Sequence, residues 1–219
     1  MDELTRSIQV SPQDKIIYAI GNYNDEDKVY SMIPDGSKLL PKLETMTISN
    51  KNGFKDTNLL MVGKQVVQID GLVTDATIPM ERLVARLDVY MFKSRRLENN
   101  TVILKSIELV NQITNTRGEY QNTIMVSPVE TQNDLRTISS NNVLGVMPDD
   151  MSGIIPANAT ESFYSYQNIA ASADPDPNVT PYLLITADID GVNHRYKGYI
   201  TDNGQTTDKY SLKRNTVYR

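Results

Sequence analysis

At 219 residues the chain is long enough for one large domain or two small ones, and 22 Lys+Arg against 27 Asp+Glu leave a formal net charge of −5. The acidic balance and the dispersed basic residues argue against nucleic-acid binding, which needs a basic stripe to displace phosphate counterions. With no cysteine and one histidine, His194, disulfides, thiolate nucleophiles, Cys-based zinc sites and His-rich metal sites are excluded.

A hydrophobic share of 39% is modest, but the apolar residues come in short, regularly spaced runs that can still form a core. No run of about 18 apolar residues occurs, and the N-terminal MDELTRSIQV has no basic start followed by an apolar stretch. The sequence as given therefore predicts neither a spanning helix nor an export signal.

In chain order, the first element is the β-rich run IIYAI at 16–20, set between Ser11-Pro12-Gln13-Asp14 and Gly21-Asn22. Ser37 is placed to cap a short helix through Leu43, with Pro41 tolerated in its first turn. Residues 59–63 and 66–69 read as two strands divided at Gly63-Lys64. Residues 78–92, IPMERLVARLDVYMF, alternate as one long strand with a single lapse at Val84. Residues 101–110, TVILKSIELV, are β-branched and bounded by Asn-rich turns, and they predict a further strand.

From Thr114 to Ala159 the apolar runs shorten and polar turn residues dominate, which predicts a domain junction with long loops near residue 116. Beyond it, SFYSYQN at 162–168 precedes the turn-rich Asp174-Pro175-Asp176-Pro177. PYLLITADI and VNHRYKGYIT flank Asp190-Gly191, a strong hairpin signal. A two-residue turn there sets Ala187 against His194 and Ile185 against Tyr196 on an apolar face, and Tyr182 against Tyr199 on the other. Strands at regular spacing with little helix predict an all-β protein of antiparallel β-sandwiches, two in series, with short helical insertions.

Catalytic chemistry finds little support. His194 on an apolar hairpin face reads as a core or edge residue, and no G-x-S-x-G elbow accompanies it. Asp25-Glu26-Asp27, Asp149-Asp150 and Asp174 to Asp176 offer oxygen ligands but lack EF-hand spacing, and Asp-Pro repeats read as turn chemistry. The glycines sit singly, without a phosphate-cradling loop. No Trp and three Phe leave sugar stacking to the twelve Tyr, which in strands are first of all packing residues. The residues alone predict a protein that is not an enzyme and takes no metal or cofactor.

Five segments together resemble the fimbrillin family, the type V pilins of Gram-negative anaerobes. VSPQDKIIYAIGN at 10–22 is similar to the family's strand ending in a vyviaN-like sequence, and LMVG at 60–63 to its lpMsG-like segment. MERLVARLDV at 80–89 resembles the L-x-R-l-v-A-[KR]-v-x-v strand. FYSYQN at 163–168 resembles FYvyEN with Gln167 in place of the acid, and YSLKRNTVYR at 210–219 resembles the y-x-i-x-RNtxYrI segment.

The resemblance implies two tandem transthyretin-like β-sandwich domains, residues 1–116 and 117–219, the first lacking its opening strands and the second its last ones. It implies a structural subunit of cell-surface fimbriae, made as a lipoprotein precursor of the Gram-negative outer membrane, that polymerises with other fimbrial subunits by donor-strand exchange and serves adhesion and biofilm formation. A host protein or glycan receptor is a further partner it allows. Tyr210, Leu212, Arg214, Asn215 and Tyr218 then lie in the strand leading to the donor segment. The alternative is a monomeric surface lipoprotein that binds glycan or host protein through its Asn- and Tyr-rich loops.

Overall fold

The structure, a computed structural model, describes residues 9–22, 47–50, 53–54, 59–70, 72–139, 142–147, 160–169, 174–201 and 209–219. These residues are all-β. In chain order the strands are β1 (Lys15–Gly21), β2 (Thr47–Ser49), β3 (Met61–Val67), β4 (Met80–Arg82), β5 (Val84–Val89), β6 (Val102–Ile113), β7 (Asn115–Arg117), β8 (Thr131–Thr137), β9 (Glu161–Tyr166), β10 (Tyr182–Ile189), β11 (Val192–Tyr199) and β12 (Val217–Tyr218). The one helical element described is a short 3-10 turn, Arg95–Leu97. The expected helix at residues 37–43 lies outside the described residues.

A four-stranded sheet runs in the order β11-β10-β6-β8, entirely antiparallel. Against it stands the sheet β12-β5-β9, in which β5 and β9 are antiparallel and β12 joins β5 in parallel. Smaller sheets are β1-β3-β4 and β2-β7. Between the first two sheets lies one core, built on Ala85, Leu87, Leu104, Ile107, Leu109, Phe163, Ala187 and Leu212. A second core gathers Ile48, Val62, Leu83, Val84, Ile113, Tyr164 and Tyr166. Burying each large aliphatic of this kind is worth about 1.5–3 kcal/mol.

Leu83 and Val84 explain the lapse in the alternation of residues 78–92. That segment is not one strand: it breaks at Leu83, whose N–H donates to Leu60 O at 3.0 Å. β4 pairs with β3 before the break, and β5 pairs with β9 after it. Both Leu83 and Val84 enter the second core, whereas Ala85, Leu87 and Val89 enter the first. Two consecutive inward residues are what a chain needs when it changes from one core to the other, because each strand face alternates with period two.

The expected break at Gly63-Lys64 is absent, and β3 runs through Gly63 unbroken. Glycine is needed there for close approach, since a Cβ would lie 2.5 Å from Pro79 O and 2.6 Å from Met80 Sδ. Residue 116 lies in a strand rather than a loop. β7 pairs with β2, and β6, which precedes it, lies between β8 and β10, which follow it. Strand pairing thus crosses the composition shift expected to mark a junction.

The Asp190-Gly191 hairpin has the anticipated register, from Ile189 opposite Val192 to Tyr182 opposite Tyr199. Both turn residues have positive φ, 50° at Asp190 and 87° at Gly191, the conformation that matches strand twist. The apolar face is less buried than alternation suggests. His194 stands opposite Ala187 as expected but is exposed, because β11 is the sheet's edge.

Candidate functional site

Residues 209–219 run alongside β5 and the end of β9, and the five residues expected to lead to an assembly strand all lie here. They do not form one continuous strand. A turn at Lys209-Tyr210 precedes a single bridge at Leu212, and a turn at Arg214-Asn215 separates that bridge from β12. The turn at Asn215 requires a left-handed backbone, φ 57°, which Asn tolerates better than most residues.

Leu212 is 1% exposed and exchanges both backbone hydrogen bonds with Asn168, at 2.7 and 2.9 Å. The Asn215 N–H donates to Val84 O at 2.8 Å, and its Oδ1 accepts from Arg82 N at 3.3 Å. Tyr218 packs on the first core, and its hydroxyl accepts from Lys213 N at 2.8 Å and donates to Ser211 O at 3.2 Å. Tyr210 stands apart from these four, edge-on to Tyr199 of the hairpin with ring centroids 5.6 Å apart.

Arg214 is buried, and every guanidinium donor has an acceptor. Nε donates to Gln167 Oε1, one terminal nitrogen to Glu81 Oε1 and Glu119 O, and the other to Thr116 Oγ1 and Arg117 O, at 2.8 to 3.3 Å. Burial lowers the affinity of this group for its proton, and the Glu81 carboxylate opposes that shift. Nearby, the Tyr18 hydroxyl donates to Gly118 O, and the Gln121 N–H donates to Glu81 Oε1 at 2.6 Å. Arg214 therefore fastens the C-terminal segment to β4, to the end of β9 and to residues 116–119. Its partners Glu81 and Thr116 carry no signal in the sequence, and Gln167 stands out there only as a replacement for an acid, since the three are far apart in the chain and meet only in the fold.

At the hairpin, Tyr182 and Tyr199 meet edge-on at 5.6 Å, and Lys197 Nζ lies 3.9 Å and 4.5 Å from their centroids. His194 stacks on Tyr196 at 6.3 Å. The Asp176 carboxylate accepts from the N–H and side chain of Asn178, at 2.9 and 3.2 Å, which is turn chemistry. Among the described residues no group of three or more His, Asp or Glu gathers as metal ligands would, and no helix is long and apolar enough to cross a membrane.

No protein-family model matches the sequence, and no curated protein matches it. Solved structures do match in fold. A candidate cell adhesion protein from Parabacteroides distasonis aligns over 94% of this chain and 66% of its own, with TM-score 0.65 and 15% identity. A fimbrilin (FimA) from Porphyromonas gingivalis aligns over 93% of this chain and 71% of its own, with TM-score 0.57 and 14% identity. A further candidate cell adhesion protein from Parabacteroides distasonis aligns over 94% and 75%, with TM-score 0.55 and 13% identity. The chain spans about two thirds of the length of the first of these and shares its fold.

Proposed function

We propose that this chain, with its fimbrillin-like fold, is a structural subunit of cell-surface fimbriae with no catalytic role. In this reading it polymerises with other fimbrial subunits by donor-strand exchange and serves adhesion and biofilm formation. Its precursor is held at the outer membrane by a lipid. The observation that carries the reading is the fold likeness to a fimbrilin and to candidate adhesion proteins over nearly the whole chain.

The physics of such a polymer is β-strand addition, in which main-chain hydrogen bonds give affinity and alternate apolar side chains fill pockets. Three or four buried aliphatic anchors amount to roughly 5–12 kcal/mol before ordering costs, enough for a long-lived joint. Tyr210, Leu212, Arg214, Asn215 and Tyr218 hold the segment that leads into the donated strand. In this reading two β-sandwich units are built on the two cores, to both of which β5, β6 and β9 contribute residues.

A blot of material sheared from native cells, run with and without strong heating, tests the reading. A high-mass ladder that collapses to monomer only on heating is expected. A lone monomer band under both conditions would overturn polymerisation and favour a monomeric surface protein that binds glycan or host protein.

A further inference from the structure

β11 is the edge of the four-stranded sheet, and no described strand lies beyond it. It is eight residues long with an unbroken register to β10, and Val192 through Gly198 are all exposed. The two-residue turn fixes which backbone groups face outward. Ile189 and Val192 close the turn and share its hydrogen bond, so bonding to β10 falls on Val192, His194, Tyr196 and Gly198. The N–H and C=O groups of Asn193, Arg195, Lys197 and Tyr199 therefore point away from the sheet, a row of donors and acceptors with no backbone partner among the described residues.

The side chains on this edge are equally uneven. In a chain of net charge −5, the strand VNHRYKGY holds Arg195 and Lys197 and no carboxylate. Among the described residues neither cation has a carboxylate partner, and Lys197 is held over the rings of Tyr182 and Tyr199 instead. On the other face Val192 and Tyr196 are 59% and 48% exposed. A strand laid along this edge thus meets cations on one face and apolar surface on the other.

A second copy of β11 fits poorly. Antiparallel pairing across a two-fold in its central registers would set Arg195 against Lys197, Arg195 against itself or Lys197 against itself, and like charges directly opposite are destabilising. We infer that the outer edge of β11 receives an extended acidic segment of a partner protein. Its carboxylates alternate with apolar residues, paired to the outward backbone of Asn193 to Tyr199. This edge touches the C-terminal segment at Tyr199, whose ring meets Tyr210, but it includes none of Leu212, Arg214, Asn215 and Tyr218, so the inference stands whether or not the chain polymerises by donor-strand exchange.

The probe is a short end-capped peptide alternating Val and Glu, with one alternating Val and Lys as control. Each is titrated against the full chain by fluorescence anisotropy, with amide exchange followed residue by residue. The acidic peptide is expected to bind about tenfold or more tighter than the basic one and to slow exchange at Asn193, Arg195 and Lys197. Reversing charge with Arg195→Glu and Lys197→Glu together should invert that preference. Arg195→Pro removes an outward N–H but no bond to β10, so it should abolish binding and leave the melting temperature close to the parent's. Equal affinity for both peptides, protection elsewhere, or binding that survives Arg195→Pro would overturn the inference. So would concentration-dependent dimerisation lost on Arg195→Pro, since it would place a second copy on the edge.

Discussion

Gln167 Oε1 accepts the Nε proton of Arg214 at 3.1 Å in a site where both side chains are buried. The Gln167 amide nitrogen in turn donates to Ile124 O at 3.2 Å. A neutral amide suits this position. Glu81 already supplies a carboxylate to Arg214, so a second one would place two acids around a single buried cation.

Removing Arg214 would take a donor from five acceptors in a buried site, leaving Glu81 only the Gln121 N–H. Arg214→Met is therefore expected to destabilise the chain by about 3–5 kcal/mol, the usual cost of breaking a buried pair from one side. Arg214→Lys keeps the charge but replaces a planar fork of five donors with a point charge of three, so its loss should be smaller. Urea denaturation of the three proteins measures this ordering. An Arg214→Met protein as stable as the parent would show that the network contributes nothing net.

Gly63 offers a test of close approach without chemistry. Gly63→Ala forces a methyl group to within 2.5 Å of Pro79 O and should push β4 from β3 at a cost of about 1–3 kcal/mol. Gly198→Ala has nothing within 4 Å of its added Cβ and should stay within about 0.5 kcal/mol of the parent. Thermal unfolding of both variants decides the matter, and equal losses would refute the contrast.

The hairpin register was legible because Asp190-Gly191 and the alternation around it specify the same pairing. β1 and β6 were legible for a related reason, since each is a β-branched or aromatic run between turn residues. What stayed hidden depends on contacts distant in sequence. Gly63 looked like a turn because its neighbours, Pro79 and Met80, come from β4 and the approach to it. The lapse at Val84 looked like noise because a change of core is visible only once both cores exist. The C-terminal segment is expected as one strand from its resemblance to the y-x-i-x-RNtxYrI segment, while the turn at Asn215 depends on Arg82 and Val84.

Asp190 sets a prediction for pH. Its carboxylate accepts from the Asn100 side chain and from the Thr101 N–H, and these bonds hold its pKa below the ordinary value, the Asn100 bond most of all. A depressed pKa means the charged form is favoured in the folded state. This contribution is fully present above the unfolded value of about 3.9 and disappears as pH falls through the folded value, so the hairpin tip should loosen only in acid below about pH 4. An NMR titration of the Asp190 carboxyl should place its midpoint below the ordinary range, with Asn100→Ala moving it up. A midpoint in the ordinary range for the parent would disprove the assignment.

Leu212 and Val217 separate folding from assembly within one segment. Leu212 is 1% exposed and bonded through its backbone to Asn168, so Leu212→Ala should cost about 2–5 kcal/mol, and Leu212→Asp more, because it buries a charge. Val217 on β12 is 50% exposed, and Val217→Asp should leave the stability of the isolated chain within about 0.5 kcal/mol of the parent. If the segment guides a strand into a neighbouring subunit, Val217→Asp should nonetheless shorten the ladder in sheared surface material, because the edge it changes is the one next to the joint. Melting temperature and ladder length, measured on the same variant, give the answer together. A full-length ladder from a stable Val217→Asp protein would remove β12 from the assembly surface while leaving its role in the fold intact.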